Sequence, residues 1–511
     1  MIGAPVRLRR PAESRQQRLV WPALLAVVIM AGAAIRLWRL GTSPAWQWDE
    51  AVYLRVSISV QHGTLTEHPV YGSAWEPFLY QPPTYFLALA RWYDLAGASI
   101  YHARLLGVAL TAGLQVILFG LVARIHGSRL ALTAMLPVVF DGWLLYIERV
   151  SYIENALIVV VVSALLLYQR ALDRPSWPRF AAAGLAVGAA ASFKQTGAYV
   201  LPTVLLCWLV IRREHRGHLV LLGTAAMIIA GYLTAMIRMY DMAGHQWFID
   251  QSLVQVRRVL GLQRSGGTLT TAEQALHLLG GQYRFFVPSL LLAGAAFLIA
   301  LRRTWQCYRA RDWSPARPNA LLYSWLATGT VVFGASSLKF PQYFVLILVP
   351  AYCYLWTELA RWDWRPAAKR AAAGAAVAAG IGSFLLTVPA FSANPLAEVQ
   401  SYAARQIPGQ AIVVTEQSIG DLINQRWCTV EKSGACAGRA AYAITWRTYL
   451  QASFDQGDAA FRQMMKGAVR IRSFAGPVGT ATVWKLVGSR SSASPHCCCC
   501  SPPRRPAAGI P

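Results

Sequence analysis

Two adjacent carboxylates, Asp49 and Glu50, close the run Trp46-Gln47-Trp48-Asp49-Glu50, and the stretch after them, Ala51 to Gln61, reads as an amphipathic helix lying along an interface. An aromatic-flanked carboxylate at such a boundary is partly stripped of water. Desolvation raises its basicity and suits it to accept a proton from a hydroxyl or an amine. Asp49 is therefore the candidate base. Glu50 has two readings of equal weight: it lines the same site, or it stabilises a helix N-terminus as any first-turn acid does.

Further along, Glu148-Arg149-Val150-Ser151-Tyr152-Ile153-Glu154-Asn155 places two acids and an arginine between two apolar runs. Charges there are costly unless paired or used. Glu148 and Arg149 are expected to pair locally, whereas Glu154, one turn into the next helix beside Asn155, is expected to face Asp49. Two lysines occupy comparable turns, in Phe193-Lys194-Gln195-Thr196-Gly197 and in Ser337-Leu338-Lys339-Phe340-Pro341-Gln342-Tyr343. Each alone is explained as a lysine reaching from an apolar segment toward water. Two of them on the side of three acids indicate a pocket with both signs of charge, where cations hold a phosphate and assist its departure. Leu79-Tyr80-Gln81-Pro82-Pro83 reads as a rigid turn.

The elements that must position these residues are apolar. Of 511 residues 55% are hydrophobic and only 14% charged, and the mean hydropathy is +0.37. Runs of roughly 17 to 25 apolar residues, enough to cross a bilayer, recur from Val20 to Phe391. Helices are expected near 20–40, 101–123, 130–147, 153–169, 180–193, 196–211, 218–237, 285–301, 319–338, 341–357 and 371–391, giving about eleven crossings. Thr84 to Gly97 is short and contains Arg91 and Asp94, so it is expected to lie at the interface without crossing.

The net charge of +25 would suit a nucleic-acid partner if it formed one patch, but its residues sit in short loops. Arg124 and Arg129, Arg170, Arg174 and Arg179, Arg212, Arg213 and Arg216, Arg302 to Arg317, and Arg361 to Arg370 all fall on one side of the threading. That is the positive-inside pattern, and it argues against nucleic acid. The expected organisation is a basic cytoplasmic N-terminus (1–19), a transmembrane module (20–391) with outer loops at 41–100 and 238–284, an extracytoplasmic α/β domain (392–490) and a disordered tail (491–511). The run after the N-terminal arginines is too long for a cleaved signal and reads as a retained helix. Within the C-terminal region, Ala411 to Thr415 and Ala481 to Leu486 read as strands. Cys428 and Cys436 lie where a disulfide is permitted, pairing and free thiols being equally weighted. Cys497 to Cys500 belong to the low-complexity tail.

In this order, the Asp49-Glu50 pair, Tyr80-Gln81-Pro82-Pro83, Ala103-Arg104-Leu105, the Arg149 to Glu154 stretch, Phe193 to Gly197 and Lys339 to Tyr343 resemble the GT-C membrane glycosyltransferases. The likeness is to glycosyltransferase family 39 and its relatives, the protein O-mannosyltransferases and lipid A aminoarabinose transferases, over roughly Val20 to Val349. The resemblance implies an all-α polytopic membrane protein of GT-C type that moves a sugar, with inversion, from a polyprenyl-phosphate donor to a lipid, glycan or protein acceptor outside the cytoplasm. By the same resemblance Asp49 is the general base, Glu50 and Glu154 line the site, and Lys194 and Lys339 contact the donor phosphate with Gln342 and Tyr343 nearby. The chain departs from relatives in carrying Tyr80 and Gln81 before its proline pair, and Glu154 where the second acid is commonly Asp.

No phosphate-binding glycine loop is present, which agrees with a lipid-linked donor. The acids can ligate a divalent cation, but no spacing such as His-Glu-x-x-His calls for one. The resemblance points to an integral inner (plasma) membrane protein. The competing readings are a transporter or flippase of a lipid-linked sugar, for which charges would stand at mid-membrane, and a non-catalytic scaffold.

Overall fold

The computed structural model describes residues 15–61, 82–211, 214–239, 257, 284–335, 341–362, 365–390, 392–447, 457–476 and 479–487. Tyr80, Gln81, Lys339, most of the 238–284 loop and the cysteine-rich tail lie outside these residues.

Helices stand at each apolar run. They are α1 (Arg15–Leu37), α4 (Ile100–His126), α5 (Ser128–Phe140) with α6 (Gly142–Ile147), α7 (Ile153–Asp173), α8 (Trp177–Phe193), α9 (Val200–Ile211) and α10 (His215–Met239), preceded in part by α2 (Trp48–Gln61) and α3 (Thr84–Ala96). Beyond the second loop follow α11 (Val287–Ala310), α12 (Ala320–Ala335), α13 (Val345–Leu359) and α14 (Pro366–Ala390). Among the described residues six helices are long and apolar enough to cross a membrane. Exposed Val20, Leu24, Val27 and Met30 on α1, and Leu385 and Leu386 on α14, are side chains that hydrocarbon would cover.

Two sequence expectations are corrected. The run 130–147 is not one helix, because Asp141 adopts an extended conformation between α5 and α6 and caps Leu144 N at 2.9 Å. Nor is α2 amphipathic: Ala51, Val52, Tyr53, Leu54, Val56 and Ser57 are all buried. Its would-be solvent face is covered by the C-terminal module, whose Ile419 and Trp427 share one apolar cluster with Val52 and Tyr53. By contrast α3, with 13 residues, is too short to span ~30 Å of hydrocarbon. It packs Tyr85, Phe86 and Leu89 into the same cluster.

That module starts with α15 (Pro395–Gln406) and, among the described residues, contains five strands: β1 (Ile412–Thr415), β2 (Arg426–Thr429), β3 (Tyr442–Arg447), β4 (Val469–Gly476) and β5 (Gly479–Lys485). The sheet order is β2-β1-β3-β5-β4. β1 pairs in parallel with β2 and β3, while β5 runs antiparallel to β3 and β4. The expected strands at 411–415 and 481–486 are β1 and β5. A disulfide joins Cys428 and Cys436, whose Cα atoms are 6.5 Å apart.

The charges divide between the two ends of the helices. Glu154 and Asp173 stand at opposite ends of α7, about 30 Å apart at 1.5 Å per residue. Asp173 pairs with Arg124 at 2.6 Å, among the arginine-rich loops. Likewise α13 begins beside Gln342 and Tyr343 and ends at Glu358, which accepts from Arg303 at 3.1 Å and Arg361 at 2.7 Å.

Candidate active site

The first turn of α2 carries Asp49 and Glu50, and their surroundings separate them. Glu50 is fully enclosed: Arg104 Nε and Nη2 donate to its two oxygens at 2.7 Å each, Ser151 N donates at 3.0 Å and Gln47 N at 2.9 Å. The rest of the Arg104 guanidinium donates to the carbonyls of Leu40 at 3.0 Å and Pro44 at 2.8 Å. A buried, bidentate, saturated ion pair of this kind holds geometry and has no lone pair to offer a substrate. It pins the return of the chain from α1 to α2, and thereby the turn on which Asp49 sits.

Asp49 is half-buried and, among the described residues, accepts a hydrogen bond from Gln342 Nε2 at 3.2 Å. Burial, then the negative charge of Glu154, and to a smaller extent that of Glu50, raise its pKa to about 7, against the opposing pull of Lys194. A carboxylate so placed is an effective proton acceptor near neutrality.

Glu154 is fully buried in the first turn of α7. Its Oε1 takes the Lys194 ammonium, while its buried Oε2 has no hydrogen-bond partner among the described residues. Lys194 stands in extended backbone between α8 and the turn Gln195–Tyr199. Gly197 lets that turn press on Ala190 of α8, since a side chain there would strike the Ala190 carbonyl. The Lys194 ammonium also lies 5.5 Å from the centre of the Tyr343 ring. Gln342 and Tyr343 belong to the short helical turn Pro341–Phe344 that feeds α13. Four separate chain segments thus converge on Asp49, Glu154, Lys194, Gln342 and Tyr343. Among the described residues no group of three or more His, Cys, Asp or Glu is placed to hold a metal ion.

Other expectations change. Glu148 and Arg149 do not pair. Arg36 of α1 donates Nε to Glu148 at 2.9 Å, and Arg149 Nη2 donates to Ser43 O at 2.7 Å and to Trp38 O. Glu148 turns to α1 and Arg149 to the backbone that follows α1, so adjacency in sequence brings no contact. Asn155 Nδ2 donates to Ile147 O at 3.1 Å and Val150 O at 2.8 Å, bracing the link from α6 to α7. Pro82 and Pro83 lead directly into α3, where Tyr85 OH meets Ser151 Oγ at 2.8 Å.

Sequence reading missed Arg36, Arg104 and Asp141 as positioning groups. The signal was available for Arg36, since an arginine inside an apolar run demands a partner. Asp141, buried within the helices, takes hydrogen bonds from Ser289 Oγ at 2.5 Å and Tyr352 OH at 2.6 Å, tying the α5/α6 break to α11 and α13.

Comparison with known proteins follows the same lines. Residues 80–238 match the family described as dolichyl-phosphate-mannose-protein mannosyltransferase. Among solved structures, the chain is similar to ArnT from Cupriavidus metallidurans bound to undecaprenyl phosphate. The TM-score is 0.60 and identity 13%, over 93% of this chain and 99% of that one. It also resembles the Archaeoglobus fulgidus oligosaccharyltransferase in its apo form, with TM-score 0.57 and 12% identity over 84% of this chain and 70% of that one. The chain has the GT-C fold. It is a polytopic membrane protein whose helices carry a small C-terminal sheet. No curated protein matches the sequence.

Proposed function

We propose that this GT-C chain is a membrane glycosyltransferase that moves a sugar from a polyprenyl-phosphate carrier to an acceptor hydroxyl or amine, with Asp49 as general base. The observation that carries the reading is the Asp49 carboxylate, raised in basicity beside the buried Glu154–Lys194 pair. The ArnT structure holds undecaprenyl phosphate and the matching family is described by a dolichyl-phosphate-linked sugar, which supports a lipid-linked donor.

In the proposed reaction Asp49 takes the acceptor proton as the acceptor heteroatom attacks the anomeric carbon. The bond from that carbon to the phosphate oxygen breaks, its electron pair leaves with the polyprenyl phosphate, and the configuration inverts. Lys194 and Lys339 neutralise the departing phosphate, Lys194 exchanging part of its contact with Glu154 for the new anion. Gln342 holds the base, and Tyr343 flanks the ammonium. Glu50 acts through Arg104 as a positioning residue. Anchoring the donor tail in the bilayer turns encounter into orientation.

The same reading puts the site on the extracytoplasmic face of the inner (plasma) membrane. The arginine-rich loops lie at the opposite helix ends, and Cys428–Cys436 on the site's side suits an oxidising compartment. Asp49→Asn should lower transfer of radiolabelled sugar from polyprenyl phosphate by about 10²- to 10⁴-fold, with unchanged yield and detergent monodispersity. Full transfer by that variant would remove Asp49 as the base.

A further inference from the structure

After α1 the chain doubles back through residues 38–47, on backbone that Arg104 clamps at Leu40 and Pro44. After α14 it enters α15, whose start is capped by Asn394 Oδ1 accepting from Ala397 N at 3.2 Å. Between these two exits from the apolar region lies an open groove of about 450 Å³. One wall is Trp46, three residues before Asp49. The other is built by Glu398, Tyr402 and Arg405 of α15 and by Arg472 and Phe474 of β4.

Its chemistry differs from that of the Asp49 pocket. The Arg472 guanidinium is exposed and lies over two rings, 5.9 Å from Tyr402 and 5.3 Å from Phe474, which are themselves 5.6 Å apart. Arg405 donates to Ser401 O at 3.1 Å and Ser401 Oγ at 2.8 Å. Among the described residues neither arginine nor Glu398 forms an ion pair. On the opposite wall the Trp46 ring offers an aromatic surface to a sugar ring, the Glu398 carboxylate accepts from hydroxyls, and the guanidinium edges take an anionic group bidentately. An aliphatic occupant would satisfy none of the three charged side chains. Two arginines against one glutamate favour an anion, and the volume falls in the range of small-ligand sites.

We propose that this groove binds an acidic saccharide, a short sugar chain bearing carboxylate or phosphate, as the acceptor. Its role as acceptor rests on the transferase reading above; its binding does not. The wall with Trp46 and the turn with Asp49 are braced by the same Arg104–Glu50 pair, so a chain seated in the groove is held in register with the base.

The test uses the full-length protein in phosphatidylcholine nanodiscs, titrated calorimetrically with trigalacturonate and with neutral maltotriose. The acidic trisaccharide should bind about tenfold more tightly or better. Arg472→Ala and Arg405→Ala, both at exposed positions, should each weaken it by about three- to tenfold. Equal binding of the two sugars, or undiminished binding by both variants, would overturn the proposal. In phosphatidylglycerol discs the sugar should still bind; its complete displacement would assign the arginines to lipid headgroups and overturn it as well. Transfer by Asp49→Asn reports on the catalytic reading alone, so failure of one assignment is told apart from failure of the other.

Discussion

At Asp49 several influences act on one carboxylate. Burial and the neighbouring Glu154 charge raise its pKa to about 7, and the Lys194 cation opposes them. In its proposed role as general base Asp49 works only when deprotonated. Transfer should therefore increase with pH, by about tenfold per unit well below 7, and level off above it. Glu154→Gln removes a charge that favours the protonated form and leaves the Lys194 cation in place, so the inflection in kcat/KM should move to lower pH. An inflection that stays put in this variant would mean that another group is titrating. Sequence exposed Asp49, Glu154 and Lys194 because charge beside apolar runs is expensive and must be used or paired. It could not say that Lys194 would already be committed to Glu154, since those residues are 40 positions apart.

Among the elements, the segment from α1 to α2 carries the turn that presents Asp49. Its carbonyls and Glu50 all converge on Arg104, which is 0% exposed. Arg104→Met leaves Glu50 buried without its counter-ion, and should cost about 3–5 kcal/mol of stability. The expected readout is a lowered Tm in detergent together with reduced transfer. Glu50→Gln keeps the shape and loses the charge; it should lower transfer while leaving the pH inflection of Asp49 nearly in place, because Glu50 is the smallest of the influences on that carboxylate. Unimpaired transfer in both variants would show that the clamp does not position the base. The helices themselves were legible from apolar runs and their polar flanks. The break at Asp141 was not, because its justification is Ser289 and Tyr352, both more than 140 residues away.

For the whole molecule, two separated charge layers support the proposed orientation: the acid-and-lysine site at one end of α7 and the Arg124–Asp173 pair at the other. Single cysteines introduced near Asp49 and near Arg311 should react with a membrane-impermeant maleimide from opposite sides of sealed vesicles. Reaction from one side would overturn the threading. The C-terminal module shares an apolar cluster with α2 and α3, so a cysteine at exposed Ser401 should label from the Asp49 side.

Composition and the spacing of apolar runs alone determined that this chain belongs in a bilayer, because a run of that length has one low-energy solvent and its arginine-rich flanks have one preferred side. They also placed the helices and marked the acids and lysines at their ends. Partners were decided only by the tertiary structure. Glu148 took Arg36 instead of its neighbour, Glu50 took Arg104, and α2 lost its solvent face to the C-terminal module. A buried charge selects whichever counter-ion packing brings within about 3 Å, and that choice is made across helices, where spacing along the chain carries no information.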